Sequence, residues 1–287
     1  MPEVLQDPHF VAARHVLLDG LEALKEQRRA AILIGAHAIY LRVGQGSLAT
    51  TPMTTDADLA LDPVALGDQP LLDEALRNAG FAPKIGSSGP VVGSWTIEKD
   101  VSGRPVDIDL DLLVPEAVSG PGTRAARLGP QGDRLARKAV GLELVLIDND
   151  VMTVDALDLD PRAFQVRVAG VASLLISKAH KVAERLDDPR RDDRIAKDAL
   201  DMLRLLQGSD PRPIAAVLLA ATTDAIGEPK RSLAATVEAG VSILREHFAT
   251  PQARGCLLAG RAAAGRHDPR IVAASLAALA DRLLDLL

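Results

Sequence analysis

Two runs in this chain alternate acidic and apolar residues at every second position. They are Asp56-Ala57-Asp58-Leu59-Ala60-Leu61 and Val106-Asp107-Ile108-Asp109-Leu110-Asp111-Leu112. Period two is the repeat of a β-strand, whose successive side chains point to opposite faces. Each run predicts a strand with one apolar face for a core and one acidic face outside it. Asp56 and Asp58 then share a face, with Cα atoms roughly 6.5–7 Å apart. Asp107, Asp109 and Asp111 share another. Aligned like charges repel unless a cation or basic groups neutralise them. Carboxylates so placed can share divalent cations, and Mg²⁺ suits oxygen ligands completed by substrate phosphates. Taken alone, D-x-D is most often a solvated strand face. Two acidic strands in one small sheet shift the reading to a metal site.

The rest of the chain supplies a frame for those strands. Asp7–Gln27 predicts a helix, Ala30–Ile34 a buried strand ended by Gly35, and Ala36–Val43 a short helix. A polar segment, Gly44–Thr55, contains the small-residue run Gly44-Gln45-Gly46-Ser47. Pro70–Ala79 reads as a helix. Val91–Glu98, Pro105–Val114, Gly141–Ile147 and Phe164–Val168 read as strands. From Val171 onward almost everything has helical periodicity. X-Pro steps at Asp210-Pro211, Glu228-Pro229, Thr250-Pro251 and Asp268-Pro269 mark helix boundaries. The predicted organisation is a domain over residues 1–170 and a helical domain over 171–287.

Composition excludes several classes. With 33 basic and 39 acidic residues, the chain lacks the strongly basic coat of many nucleic-acid binders, although a local patch remains open. Aromatic residues make up 2%, too few for a row of base-stacking rings. The single cysteine, Cys256, excludes an intrachain disulfide and a cysteine metal cluster, and it reads as inert packing. There is no apolar run of the ~20 residues that a helical membrane span needs. The opening MPEVLQDPHF lacks the pattern of a secretory signal. A cytoplasmic protein with no membrane partner is the expectation.

The order strand–Gly35–short helix–loop–Thr54-Thr55-Asp56-Ala57-Asp58, followed by a later Asp-bearing strand, resembles the polymerase-beta-type nucleotidyltransferase fold. The helical region extends the likeness. Ala172–Arg185, with Lys178, His180, Lys181 and Arg185, followed by Lys197-Asp198-Ala199-Leu200-Asp201, is similar to a segment of the AbiEii and MenT-like toxins. These are nucleotidyltransferase toxins of abortive-infection and toxin–antitoxin systems. The resemblance spans roughly residues 30–206. Two positions depart from the pattern. Ala36 stands where Gly or Ser is usual, and Pro52 stands where an Arg is frequent. Both bear on nucleotide affinity more than on metal binding.

The resemblance implies an α+β fold: a small mixed sheet flanked by helices, followed by an all-α domain, with the site in the cleft between them. It implies NMP transfer from an NTP to an acceptor hydroxyl, with RNA (tRNA by family likeness) as acceptor and an antitoxin as a possible partner protein. Asp56, Asp58 and Asp111 would be catalytic and hold Mg²⁺, with Asp109 second choice for the third acid. Lys178 and Asp198 would join them from the helical domain. Gly35, Thr54 and Lys178 would bind the nucleotide. Read from the residues alone, Lys178 is a partly exposed lysine beside an apolar stripe. The faces carrying Lys181, Arg185, Arg194, Lys197, Asp198, Asp201 and Arg204 read mostly as solvated, salt-bridged surface. The stretch Gly122–Gly141 holds Arg124, Arg127, Arg134, Arg137 and Lys138 against Asp133. It reads either as a solvated loop and helix or as a contact to an RNA backbone. Two other functions fit the same residues: a catalytically silent relative that binds nucleotide or a partner protein, and a nucleotidyltransferase acting on a small molecule such as an antibiotic.

Overall fold

The computed structural model describes residues 7–44, 54–120, 124–186, 192–223 and 230–287. The chain is a mixed α/β protein of two compact units. One unit gathers the described residues of Met1–Ala38, Thr51–Ala139 and Asn149–Ala169. The other gathers those of Ile39–Thr50, Val140–Asp148 and Gly170–Leu287.

The first unit is built on an eight-stranded sheet. Its strands are β1 (Ala31–Ile34), β2 (Asp56–Leu61), β3 (Ala82–Gly86), β4 (Gly89–Asp100), β5 (Pro105–Pro115), β6 (Arg137–Ala139), β7 (Asn149–Asp155) and β8 (Ala163–Ala169). The order is β3-β4-β5-β2-β1-β8-β7, with β6 pairing the end of β5. The sheet is mixed: β2 runs parallel to β5 and antiparallel to β1. Helix α1 (Pro8–Ala23) packs on β2 and β5. It starts where Asp7 accepts a hydrogen bond from the His9 N–H, with Pro8 in the first turn. On these strands Ala57, Leu59, Leu61, Ile108, Leu110 and Leu112 are fully buried. Pleat alternation therefore leaves the aspartates on the other face. Helix α2 (Gly35–Val43) follows β1 directly, and α3 (Leu72–Asn78) leads to the β3–β4 hairpin.

The sheet is larger than the sequence reading expected. β3 and β7 are its two edges, and both lack a strong apolar pattern. β3 contains Pro83, which cannot donate to a ladder and belongs on an edge. In β7 only Val154 is buried. The strand expected at Gly141–Ile147 is instead a 3₁₀ turn over Glu143–Leu146. Four consecutive residues, Leu142–Val145, are buried there, so the run does not alternate. The Gly141 N–H donates to the Glu143 carboxylate across two residues (3.0 Å). The helix expected to reach Gln27 stops at Ala23 and continues as a 3₁₀ turn over Lys25–Ala30.

The second unit holds α4 (Val171–Ala183), α5 (Asp192–Gln207), α6 (Pro211–Thr223), α7 (Lys230–Phe248), α8 (Arg254–Ala263) and α9 (Pro269–Leu284). The α5–α6, α7–α8 and α8–α9 breaks fall at the expected Asp210-Pro211, Thr250-Pro251 and Asp268-Pro269 steps, and Glu228-Pro229 lies outside the described residues. Asp148 caps α4, its carboxylate accepting from the Ser173 N–H at 2.8 Å. Cys256 is buried, and burial pushes its thiol up to about 12, consistent with inert packing.

Candidate functional site

The register of β2 and β5 joins the two acidic runs. Asp56 pairs with Asp109 and Asp58 with Asp111 in a parallel ladder. Directly paired residues in adjacent strands share a face about 4.8 Å apart. Four aspartates therefore form a two-by-two block on the face opposite the core. Asp107 falls outside it, because β2 begins only at the partner of Asp109 and Asp107 pairs with Glu98 on β4.

Each neighbour of the block has a physical role. Thr54 is buried, and its hydroxyl donates to the Asp56 carboxylate, fixing that side chain at the start of β2. Gly35 sits at the end of β1 with φ +69°, a conformation favouring glycine. A Cβ there would lie 2.2 Å from Asp58 Oδ2. Glycine thus lets the backbone lie directly against the Asp58 carboxylate. On β4, Ser94 lies across from Asp111 and donates to its Oδ1 at 2.5 Å.

Among the described residues, Lys84 and Arg137 bring cations to the block. Lys84 of β3 pairs with Asp109. Arg137 of β6 pairs with Asp111 Oδ2 at 2.6 Å. Arg137 is placed by a second close approach. Gly93 has φ +74°, and a Cβ there would meet the Arg137 backbone N at 2.4 Å. Only a bare backbone at Gly93 lets β6 run alongside the end of β5. Sequence reasoning missed Lys84 and Ser94 altogether and assigned Arg137 only to the basic stretch. Strand pairing places all three, and pairing across distant segments leaves no short-range signal. Within that stretch Arg137–Ala139 is a strand and Gly129–Gln131 a 3₁₀ turn, so the helix read there is not formed. Arg124, Arg127 and Arg134 are exposed, while Lys138 donates to the Gly120 carbonyl.

The donor chemistry of the block fits a hard divalent cation: carboxylate oxygens in register, with bare backbone beside one of them. Among the described residues, no three Asp, Glu, His or Cys side chains already converge as ligands. Asp109 and Asp111 instead hold the amino acid cations just named.

Lys178 and Asp198 lie together in the second unit. Lys178 is buried, 6% exposed, and its Nζ donates to Asp198 (2.7 Å) and Asp201 (2.8 Å). Arg185 pairs with Asp198, and Arg204 with Asp201 at 2.7 Å. Burial alone would depress the Lys178 ammonium, but the charges of Asp198 and Asp201 hold it well above the ordinary lysine range. Burial would likewise raise Asp198, and Lys178, Lys181 and Arg185 hold it below the usual carboxylate range instead. Two readings are corrected here. Lys178 is not partly exposed, and Asp198, Asp201 and Arg204 are not solvated surface. Packing of α4 on α5 encloses these charges, which a helical projection of one segment does not reveal. Arg194 and Lys197 do face solvent. Gln45, Gly46, Ser47 and Pro52 lie outside the described residues, as do residues 187–191.

The chain matches no known family model and no curated protein. Among the described residues, no helix is long and apolar enough to cross a membrane.

Proposed function

We propose that the protein is a Mg²⁺-dependent nucleotidyltransferase, moving an NMP from an NTP to an acceptor hydroxyl. The register that sets Asp56 and Asp58 beside Asp109 and Asp111 carries the reading. Asp56, Asp58 and Asp111 would hold Mg²⁺, with Asp109 as the alternative third acid. When bound, Mg²⁺ would stabilise negative charge on the attacking and leaving oxygens. Thr54 orients Asp56, and Gly35 lets the Asp58 carboxylate close on the backbone after β1. The acceptor oxygen bonds to the α-phosphorus as the bond to the β-phosphate oxygen breaks. Pyrophosphate leaves, and the hydroxyl proton passes to the Asp111 carboxylate, which Ser94 orients. Exposed Arg124, Arg127 and Arg134 support an RNA acceptor, tRNA by family likeness, because such side chains neutralise backbone phosphates. A toxin role with an antitoxin partner rests on the AbiEii and MenT likeness alone, and a cytoplasmic setting on the single cysteine.

Calorimetry tests the reading. NTP should bind in Mg²⁺ and weaken strongly in EDTA and in Asp58→Ala. Equal binding in all three conditions would remove the metal site. Binding without transfer would favour a silent nucleotide-binding relative, and transfer to a small hydroxyl compound but not to RNA would favour the antibiotic-type enzyme.

A further inference from the structure

The cations on the acid block point to a counterion exchange, and this inference rests on the metal-dependent reading above. Among the described residues, Asp109 and Asp111 each carry one basic partner, from different strands: Lys84 on edge strand β3 and Arg137 on β6. Neither contact is locked by burial. The Lys84 side chain is 44% exposed and that of Arg137 21%. Ser94 holds the other oxygen of Asp111 independently of Arg137. We infer that Lys84 and Arg137 are exchangeable counterions, which neutralise the acid block when no divalent cation is bound and turn to the substrate's phosphates when one is. Four carboxylates on neighbouring strands repel one another. These two side chains offset part of that repulsion before metal arrives. A divalent ion on the same carboxylates repels both side chains, while a triphosphate beside it offers them a new anion. Arginine suits the second role, because its fork binds phosphate as readily as carboxylate.

The exchange makes two affinities move in opposite directions. In Arg137→Met the resident charge is gone, so Mn²⁺ alone should bind about tenfold more tightly. The same variant should bind the Mn²⁺–tripolyphosphate complex about tenfold more weakly, because one charge-assisted contact is lost. Lys84→Met should shift both in the same senses, and Arg137→Lys should restore both largely. A purely structural ion pair would instead weaken both together. The test is calorimetric titration of the full chain with Mn²⁺, then with Mn²⁺–tripolyphosphate, with circular dichroism confirming that each variant is folded. Wild type that binds Mn²⁺ while Arg137→Met and Lys84→Met bind it no more tightly overturns the exchange and leaves the metal site standing. Tighter Mn²⁺ with unchanged tripolyphosphate overturns the hand-over to phosphate. Wild type that binds no Mn²⁺ overturns the metal reading and the exchange with it.

Discussion

The two units handle charge in opposite ways. In the sheet unit, carboxylates share a half-buried face and meet single cations near solvent: Lys84 at Asp109 and Arg137 at Asp111. In the helical unit, Lys178, Asp198, Asp201 and Arg204 are all less than a tenth exposed and interlock, with Arg185 at their margin. Water reaches the first kind of pair at least in part, so each contributes less to stability than an enclosed pair. The second kind has given up its hydration and depends on its partners. Charge near water can be exchanged for a ligand, whereas enclosed charge holds helices in place.

The contrast breaks first at Asp201. Asp201 accepts from both buried Lys178 and buried Arg204. Asp201→Ala removes a buried carboxylate that two cations share, and should destabilise by about 3–5 kcal/mol in urea unfolding. Lys178→Met removes two hydrogen bonds but leaves Asp198 paired with Arg185 and Asp201 with Arg204, and should cost less, about 1–3 kcal/mol. An equal loss, or the reverse ranking, would show that these arginines do not compensate for the lost lysine. In the sheet unit, Gly35→Ala forces a Cβ against Asp58 at a positive φ. It should cost about 1–3 kcal/mol and weaken Mn²⁺ binding, measured by denaturation and titration. Arg137→Met should cost under about 1 kcal/mol, the small value of a pair near solvent.

Acidity separates the units further. Asp198 titrates below its ordinary 3.8, and Lys178 above its ordinary 10.5. A depressed carboxyl gives stability that is present above the unfolded value and lost as pH falls through the folded one. A raised ammonium gives stability that is present below its unfolded value and lost only as pH climbs through the folded one. The stability gap between wild type and Lys178→Met should therefore stay level from about pH 5 to 9 and narrow below about pH 4. A smaller effect belongs to Asp160, which hydrogen bonds from Arg162 hold down to about 2. Its contribution is present above pH 3.8 and lost as pH falls toward 2. Melting temperatures of wild type and Asp160→Asn should thus converge in that window.

The acid and apolar faces of β2 and β5 were legible in the sequence, because period two is a local signal. So were α2, α4, α5 and the breaks at Asp210-Pro211, Thr250-Pro251 and Asp268-Pro269. What escaped was set by distant pairing. Lys84 sits in a proline-containing edge strand with no pattern to announce it. Arg137 lies beside Asp111 only because Gly93 admits β6 along β5. Lys178 was misread as partly exposed because its burial depends on the packing of α4 against α5, not on its own flanks. The four-aspartate block itself needed the β2–β5 register, which neither run encodes alone.

The most direct test of the central claim is label transfer. Purified protein is incubated with each [α-³²P]NTP, Mg²⁺ and total RNA, beside Asp58→Asn. The acid block predicts incorporation of label into RNA that disappears in EDTA and falls by a factor of about 10³ or more in Asp58→Asn, with folding intact. Incorporation that survives both EDTA and Asp58→Asn, or its complete absence in wild type with all four NTPs, would contradict it.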